Sequence, residues 1–98
     1  MSLADLTARI KDKVGVSSGL DATVKFDFGE EGTIFVDGKA VPNAVSNEDR
    51  EAECTVRMSL ENFAKMLDGE LDPTTAFMLG KLKVSGNMGV AMKLSKVV

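Results

Sequence analysis

The spacing of apolar residues changes period four times along the 98 residues, and this limits the architecture more than any other feature. Leu3, Leu6, Ile10 and Val14 recur on one helical face, with Ser2 as N-cap, Asp5 as its capping-box partner and Gly15 as the stop. Ala22, Val24, Phe26 and Phe28 then alternate with Thr23, Lys25 and Asp27, the two-residue period of a half-buried strand. A Gly29-Glu30-Glu31-Gly32 turn leads to a second strand over Thr33-Ile34-Phe35-Val36. Asp37-Gly38 is a hairpin signal before a third, Lys39-Ala40-Val41. Pro42 cannot donate to a ladder, so the third strand is expected at a sheet edge. The charged stretch from Asn47 to Glu51 reads as a solvated loop, after which Ala52, Cys54, Val56 and Met58 alternate in a fourth strand.

From Ser59 the helical period returns. Ser59 is an N-cap, Leu60, Phe63, Ala64 and Leu67 form a stripe, and Gly69 suits the left-handed position beyond the last turn. Asp72-Pro73, an N-cap followed by proline at the first helical position, opens a short helix to Gly80. Leu82 and Val84 alternate with Lys81 and Lys83 as a fifth strand, and a last helix runs from Met88 through Val97. Helices on both sides of a run of strands, with no βαβ repeat, define an α+β class. The expected architecture is a five-stranded mixed, mainly antiparallel sheet with helices packed on one face, in a single domain over residues 1–98.

That last helix has apolar surface to spare. At 100° per residue, Lys93, Lys96 and Gly89 cluster within about 60° and apolar residues occupy roughly 220°, whereas a helix resting on one sheet needs a stripe of about 100°. Methionine is concentrated in the second half, as Met58, Met66, Met78, Met88 and Met92, beside Phe63 and Phe77, while Trp and Tyr are absent. One reading is an ordinary core that uses methionine as filler. The other is an adaptable apolar cavity with few fixed polar handles. An empty void of about 400 Å³ would cost on the order of 10 kcal/mol, comparable to the stability of a whole domain, so such a space must be filled by a guest or by side chains that collapse into it.

Charge and composition exclude several function classes. A net charge of −3 is the wrong sign for neutralising phosphates, so no nucleic-acid partner is expected. The absence of histidine removes Ser-His-Asp and Cys-His catalysis and HExxH metal sites. Cys54 lacks an imidazole to activate it and reads as a small buried hydrophobe. The pairs Glu30-Glu31 and Glu48-Asp49 read as solvated turns rather than acid/base machinery. Gly86-Asn87-Met88-Gly89 fits the GxxG pattern of a nucleic-acid-clamping KH loop, but a strand precedes it and its variable positions are not basic. An N-cap with glycines permitting close helix-to-sheet packing is the plainer reading; helix-start N–H groups facing a ligand head group are a second. No metal, cofactor or catalytic residue is expected, and the chain is expected not to be an enzyme.

No apolar run reaches the length of a membrane span, the N-terminus is charged and periodic, and a lone cysteine fits a reducing compartment, so a cytoplasmic monomer is expected. Residues 1–80 carry eight basic and fifteen acidic groups, a sum of −7, while residues 81–98 carry four lysines and no acid, a sum of +4. Cations near a helix C-terminus explain this, as does a transient contact with anionic membranes.

Ala52-Glu53-Cys54-Thr55, Asp72-Pro73-Thr74-Thr75-Ala76-Phe77-Met78, the run Gly80 to Gly89 and Ala91-Met92-Lys93-Leu94 resemble the sterol carrier protein 2 domain family. The resemblance spans essentially the whole domain and is most specific from Gly80 to Leu94. It implies an apolar tunnel between sheet and helices, and non-enzymatic binding and transfer of sterols, fatty acyl chains or phospholipids. Ile34 stands where many members carry tryptophan, and the loops between the first strands are short, which implies a tunnel of different size or shape. The C-terminus carries no peroxisomal tripeptide, so a small stand-alone bacterial-type member is expected, for which sterol is not the expected natural ligand. On this reading Phe26, Phe28, Ile34, Val36, Cys54 and Val56 form the floor of a lipid site, which Leu82 also lines. Phe63, Met66, Phe77, Met78, Met88 and Met92 form its wall. Two rival functions remain: an accessory domain that presents isoprenoid quinone intermediates to biosynthetic enzymes, and a structural interaction domain without ligand.

Overall fold

The computed structural model describes residues 2–14, 21–39 and 44–91. The elements follow the order α1 (Leu3–Val14), β1 (Thr23–Asp27), β2 (Thr33–Asp37), β3 (Ala44–Ser46), β4 (Cys54–Met58), α2 (Leu60–Leu67), α3 (Pro73–Met78), β5 (Leu82–Gly86) and α4 (Met88–Ala91). The caps read from sequence form as hydrogen bonds. The Ser2 N–H donates to Asp5 Oδ2 and the Asp5 N–H to Ser2 Oγ, both at 3.2 Å, closing a capping box on α1. The Asn62 N–H donates to Ser59 Oγ at 3.1 Å to start α2, and the Thr75 N–H donates to Asp72 Oδ2 at 3.1 Å to start α3.

The strands form one sheet in the order β3-β2-β1-β4-β5. β1 and β2, β2 and β3, and β4 and β5 pair antiparallel, while β1 and β4 run parallel at the centre, so the sheet is mixed as expected. The register sets one face. Val24 lies opposite Val36 and Cys54, and Phe26 opposite Ile34 and Val56, so the inward residues of three strands form a continuous apolar floor. The outward face is held by charge. Lys25 pairs with Asp49 at 2.9 Å, Arg57 with Asp27 at 3.3 Å and Lys39 with Glu53 at 2.8 Å, and the Arg50 guanidinium stands 5.1 Å over the buried Phe35 ring.

The third strand departs from the sequence reading. It lies over Ala44–Ser46, beyond Pro42, and pairs Asp37 with Ala44 and Val36 with Val45. The Asp37-Gly38 pair does not make a two-residue hairpin. The Gly38 N–H instead donates to the Ala22 carbonyl at 2.8 Å, prolonging the β1–β2 ladder, and Asp37 Oδ1 accepts from the Lys39 N–H at 3.0 Å, turning the chain locally. β3 is an edge strand as expected; Ala40 and Val41, placed in it from sequence, lie outside the described residues. Of the expected last helix only Met88–Ala91 falls within the described residues; the expected stop at Gly15 falls outside them.

Candidate functional site

The inward sheet face and the helices meet in one apolar cluster. β1 contributes Val24 and Phe26, followed by Phe28; β2 contributes Ile34 and Val36; β4 contributes Cys54, Val56 and Met58; β5 contributes Leu82. α2 lays Phe63, Ala64, Met66 and Leu67 over this floor because those positions share its apolar stripe. The Phe63 ring sits between two others, its centroid 4.8 Å from that of Phe26 and 5.0 Å from that of Phe28, both in tilted geometry. This triad fixes α2 on β1.

Of the residues expected to line a lipid site, Phe26, Phe28, Ile34, Val36, Cys54, Val56, Phe63, Met66 and Leu82 are buried together in this cluster. Three others are not brought to it. Phe77 is 49% exposed, Met78 79% and Met88 51%, so their side chains stand at the surface, and Met92 lies outside the described residues. The outward placement has a local cause: α3 is only six residues long and its buried residue is Ala76, so Phe77 and Met78 on the following positions face away. Sequence reasoning left α1 out of the wall. Leu6, Ile10 and Val14 are buried in the same cluster, and their three- and four-residue spacing was the signal that marks them. Val24, two residues before the inward Phe26 on β1, and Val90 of α4 join it.

Polar groups around the cluster are satisfied rather than reactive. Thr7 Oγ1 donates to the Leu3 carbonyl at 2.7 Å and accepts from Asn47 Nδ2 at 2.9 Å, and that amide also donates to the Thr33 carbonyl, tying α1 to the loop after β3 and to β2. Cys54 is fully buried, which pushes its thiol above the ordinary value, away from the thiolate a nucleophile needs. Among the described residues no group of His, Cys, Asp or Glu is arranged to hold a metal ion. The start of α4 is capped by its own chain: Asn87 Oδ1 accepts from the Gly89 N–H at 2.8 Å and the Val90 N–H at 3.4 Å. This arrangement is the capped helix start of the plainer reading, with that side chain occupying the N–H groups a head group would need.

A hollow of about 370 Å³ on the outer flank of α2 is lined by Glu31, Leu60, Glu61, Ala64, Lys65 and Asp68. Three of its four charged groups pair with neighbours, Asp68 with Arg9 at 2.6 Å and Glu61 with Lys65 at 3.6 Å. A charged surface hollow is not the apolar tunnel expected between the layers. Among the described residues no helix is long and apolar enough to cross a membrane.

Residues 3–98 match the model of the SCP-2 sterol transfer family. The chain is 44% identical over 70 residues to sterol carrier protein 2 of Gallus gallus, an alignment covering 70% of this chain and 13% of that protein. It is 36% identical over 95 residues to hydroxysteroid dehydrogenase-like protein 2 of Bos taurus, covering 91% of this chain and 23% of that protein. The chain thus spans a small fraction of the length of these relatives. Among solved structures, palmitated SCP2L2 from Aedes aegypti superposes with a TM-score of 0.72 at 24% identity, covering 99% of this chain and 94% of that one. At that identity the likeness speaks for the fold.

Proposed function

The chain belongs to the SCP-2 sterol transfer family, and on that premise we propose that it is a non-catalytic carrier holding a lipid hydrocarbon chain between its sheet and its helices. The observation that carries this reading is the single apolar face built from β1, β2, β4 and β5 and roofed by helices. The interlayer packing is uneven. Toward α1 and α2 it is dense, with Leu6, Ile10, Phe26 and Phe63 all fully buried, while α3 contributes only Ala76 and α4 only Val90 among residues whose burial is described. A guest fits best at the thinner end, beside Ala76, Leu82 and Val90, where it displaces little packed side chain.

We assign a fatty acyl chain as the guest, with its head group left at the rim. The chain has neither Trp nor Tyr, so the interior lacks the polar handles that fix a ring hydroxyl, and every buried side-chain nitrogen and oxygen among the described residues already has a hydrogen bond. An unbranched hydrocarbon asks for no such partner. The absence of any histidine and the raised, buried Cys54 thiol support a role without bond making or breaking.

Native mass spectrometry of the purified protein, followed by solvent extraction, tests the proposal. A mass increment that resolves into a fatty acid or phospholipid is expected, or uptake of offered palmitate at one per chain. Apoprotein that takes up neither palmitate nor phosphatidylglycerol would overturn it. Recovery of an isoprenoid quinone would select the accessory role beside biosynthetic enzymes instead.

A further inference from the structure

Among the described residues the exposed large apolar side chains are Phe77, Met78, Leu79 and Met88, at 49%, 79%, 63% and 51%. All of them bracket one strand. Phe77, Met78 and Leu79 form the last turn of α3 and its C-cap just before β5, and Met88 opens α4 just after it. Single exposed hydrophobes need no explanation, but a set gathered around one element marks an interaction site. β5 is unfinished on one side. It is an edge strand paired with β4, and no described strand lies along its outer edge. The Asn87 N–H donates to the Glu53 carbonyl at 2.7 Å, one step beyond the Gly86–Cys54 pair. Because bonding alternates along an antiparallel strand, Lys83 and Ser85 turn their backbone groups toward β4, and Leu82 and Val84 turn theirs to the outer edge. Such a row of N–H and C=O groups is a template for another strand. The side chains beside it differ by face. Leu82 and Val84 pack on the apolar core, whereas Lys83, opposite Arg57, stands on the charged outer face. Lys81 and Lys83 are exposed and make no ion pair among the described residues, in a chain of net charge −3.

We propose that β5 is a docking edge for an extended, acidic segment of a partner protein, which adds to the sheet as a further strand. Alternate side chains of an added strand face opposite ways. Those on the outer face meet Lys83 and its neighbour Lys81, so acidic residues suit them. Those on the inner face run along α3 and α4, where Phe77, Met78 and Met88 stand exposed, so apolar residues suit them. Other occupants fit less well. A second copy pairing through the same strand would bring four lysines onto one short ladder, and lysine at an edge is a means of preventing such self-association. The residues of this chain beyond α4 include Lys93 and Lys96 and no acid, so they bring charge of the same sign. The inference requires no lipid guest and stands apart from the carrier reading.

The probe is a fluorescein-labelled peptide in which valine and glutamate alternate over about six residues, the usual length of a strand. A matched peptide carries lysine in place of glutamate. Fluorescence anisotropy with the full chain is expected to show saturable binding of the glutamate peptide in the micromolar range, and weaker binding of the lysine peptide. K81E/K83E is expected to weaken the glutamate peptide about tenfold and to prefer the lysine peptide instead, each cross-strand charge pair being worth up to roughly fivefold. F77S/M78S is expected to lose about tenfold through lost apolar burial. V84P removes an outward N–H and no bond to β4, so it should fold, as proline at a sheet edge allows, and lose the peptide. The exposed pair Lys11 and Lys13 on α1 is the control, and K11E/K13E should bind as the parent does. No saturation up to about 1 mM would overturn the proposal. So would equal binding of the two peptides by the parent, a loss in K11E/K13E as large as in K81E/K83E, or undiminished binding by a folded V84P. A dimer of the parent on size exclusion that V84P abolishes would also overturn it, because the edge would then belong to a second copy.

Discussion

Gly86 offers the sharpest test of how the sheet and α4 are joined. It sits at φ +96°, and a Cβ placed there would lie 2.5 Å from the Glu53 carbonyl oxygen and 3.3 Å from Cys54 Cα, where side-chain carbons essentially never come within 3.0 Å. In G86A, alanine must hold a left-handed backbone, at roughly 1–2 kcal/mol, and β5 must also move away from β4 at the Cys54–Gly86 pair. That movement strains the bond from the Asn87 N–H to the Glu53 carbonyl, 2.7 Å long, whose loss adds about 1 kcal/mol. The sum is about 2–3 kcal/mol, which at this chain length lowers the midpoint of thermal unfolding by of order 10–25 °C. G69A is the matched reference. Gly69 is also left-handed, at φ +79°, but nothing lies within 4 Å of its added Cβ, so the variant should lose only the backbone part. With no Trp or Tyr to report by fluorescence, unfolding is followed by far-UV circular dichroism. If G86A proves no less stable than G69A, the close approach of β5 and α4 to the Glu53 backbone is not what the glycine serves, and the reasoning fails.

Cys54 is expected to resist an aromatic disulfide reagent in the folded protein and to react fully in denaturant, because burial both shields the sulfur and disfavours its thiolate. Reaction of native protein at the rate of an exposed thiol would contradict the placement. The Asp5 carboxyl is held below its ordinary value, first by the Ser2 backbone N–H and then by the Ser2 hydroxyl. A depressed carboxylate contributes stability that is present above the unfolded value, about 3.9, and fades as pH falls through the folded one. The stability gap between the parent and D5N, read from urea unfolding, should therefore be full near neutral pH and close in acid. A gap that stays constant or widens in acid would exclude the capping box as its source.

The parts of the fold that could be read from sequence are those decided within a few residues. Ser2-Asp5, Ser59 and Asp72-Pro73 are local hydrogen-bonding solutions to a helix start, and each forms where its residues stand. Alternation on β1 and β4 assigned the inward face because a strand has only two faces. β3 went wrong because Asp37-Gly38 has two uses of similar local merit, a two-residue hairpin or an end to the β1–β2 ladder. The choice was made by Ala22, fifteen or more residues earlier, whose carbonyl takes the Gly38 N–H. The parallel pairing of β1 with β4 is likewise non-local and carries no mark in either strand. Within the candidate site, apolar type alone placed Phe63 and Phe77 in the same wall. Phe63 belongs to a helix long enough for a stripe to form, whereas α3 makes fewer than two turns and has no face that its sequence could declare.

The methionines bear on how a small domain reconciles a packed core with room for a guest. Met58 and Met66 are buried, 6% and 3% exposed, and pack with branched and aromatic neighbours as ordinary core. Met78 and Met88 stand outward, on elements whose described burial into the core rests on Ala76 and Val90. Under the carrier reading this division is what the energetics favour. A void inside the Phe26–Phe28–Phe63 triad would lose tight aromatic contacts and cost about 24 cal/mol for each Å³ left empty. Unbranched, polarisable side chains at the rim can instead follow the outline of whatever hydrocarbon arrives, at little cost to the fold. Adaptability and rigidity then occupy opposite ends of one apolar face, and the adaptable end is the one that presents Phe77, Met78 and Leu79 to its surroundings.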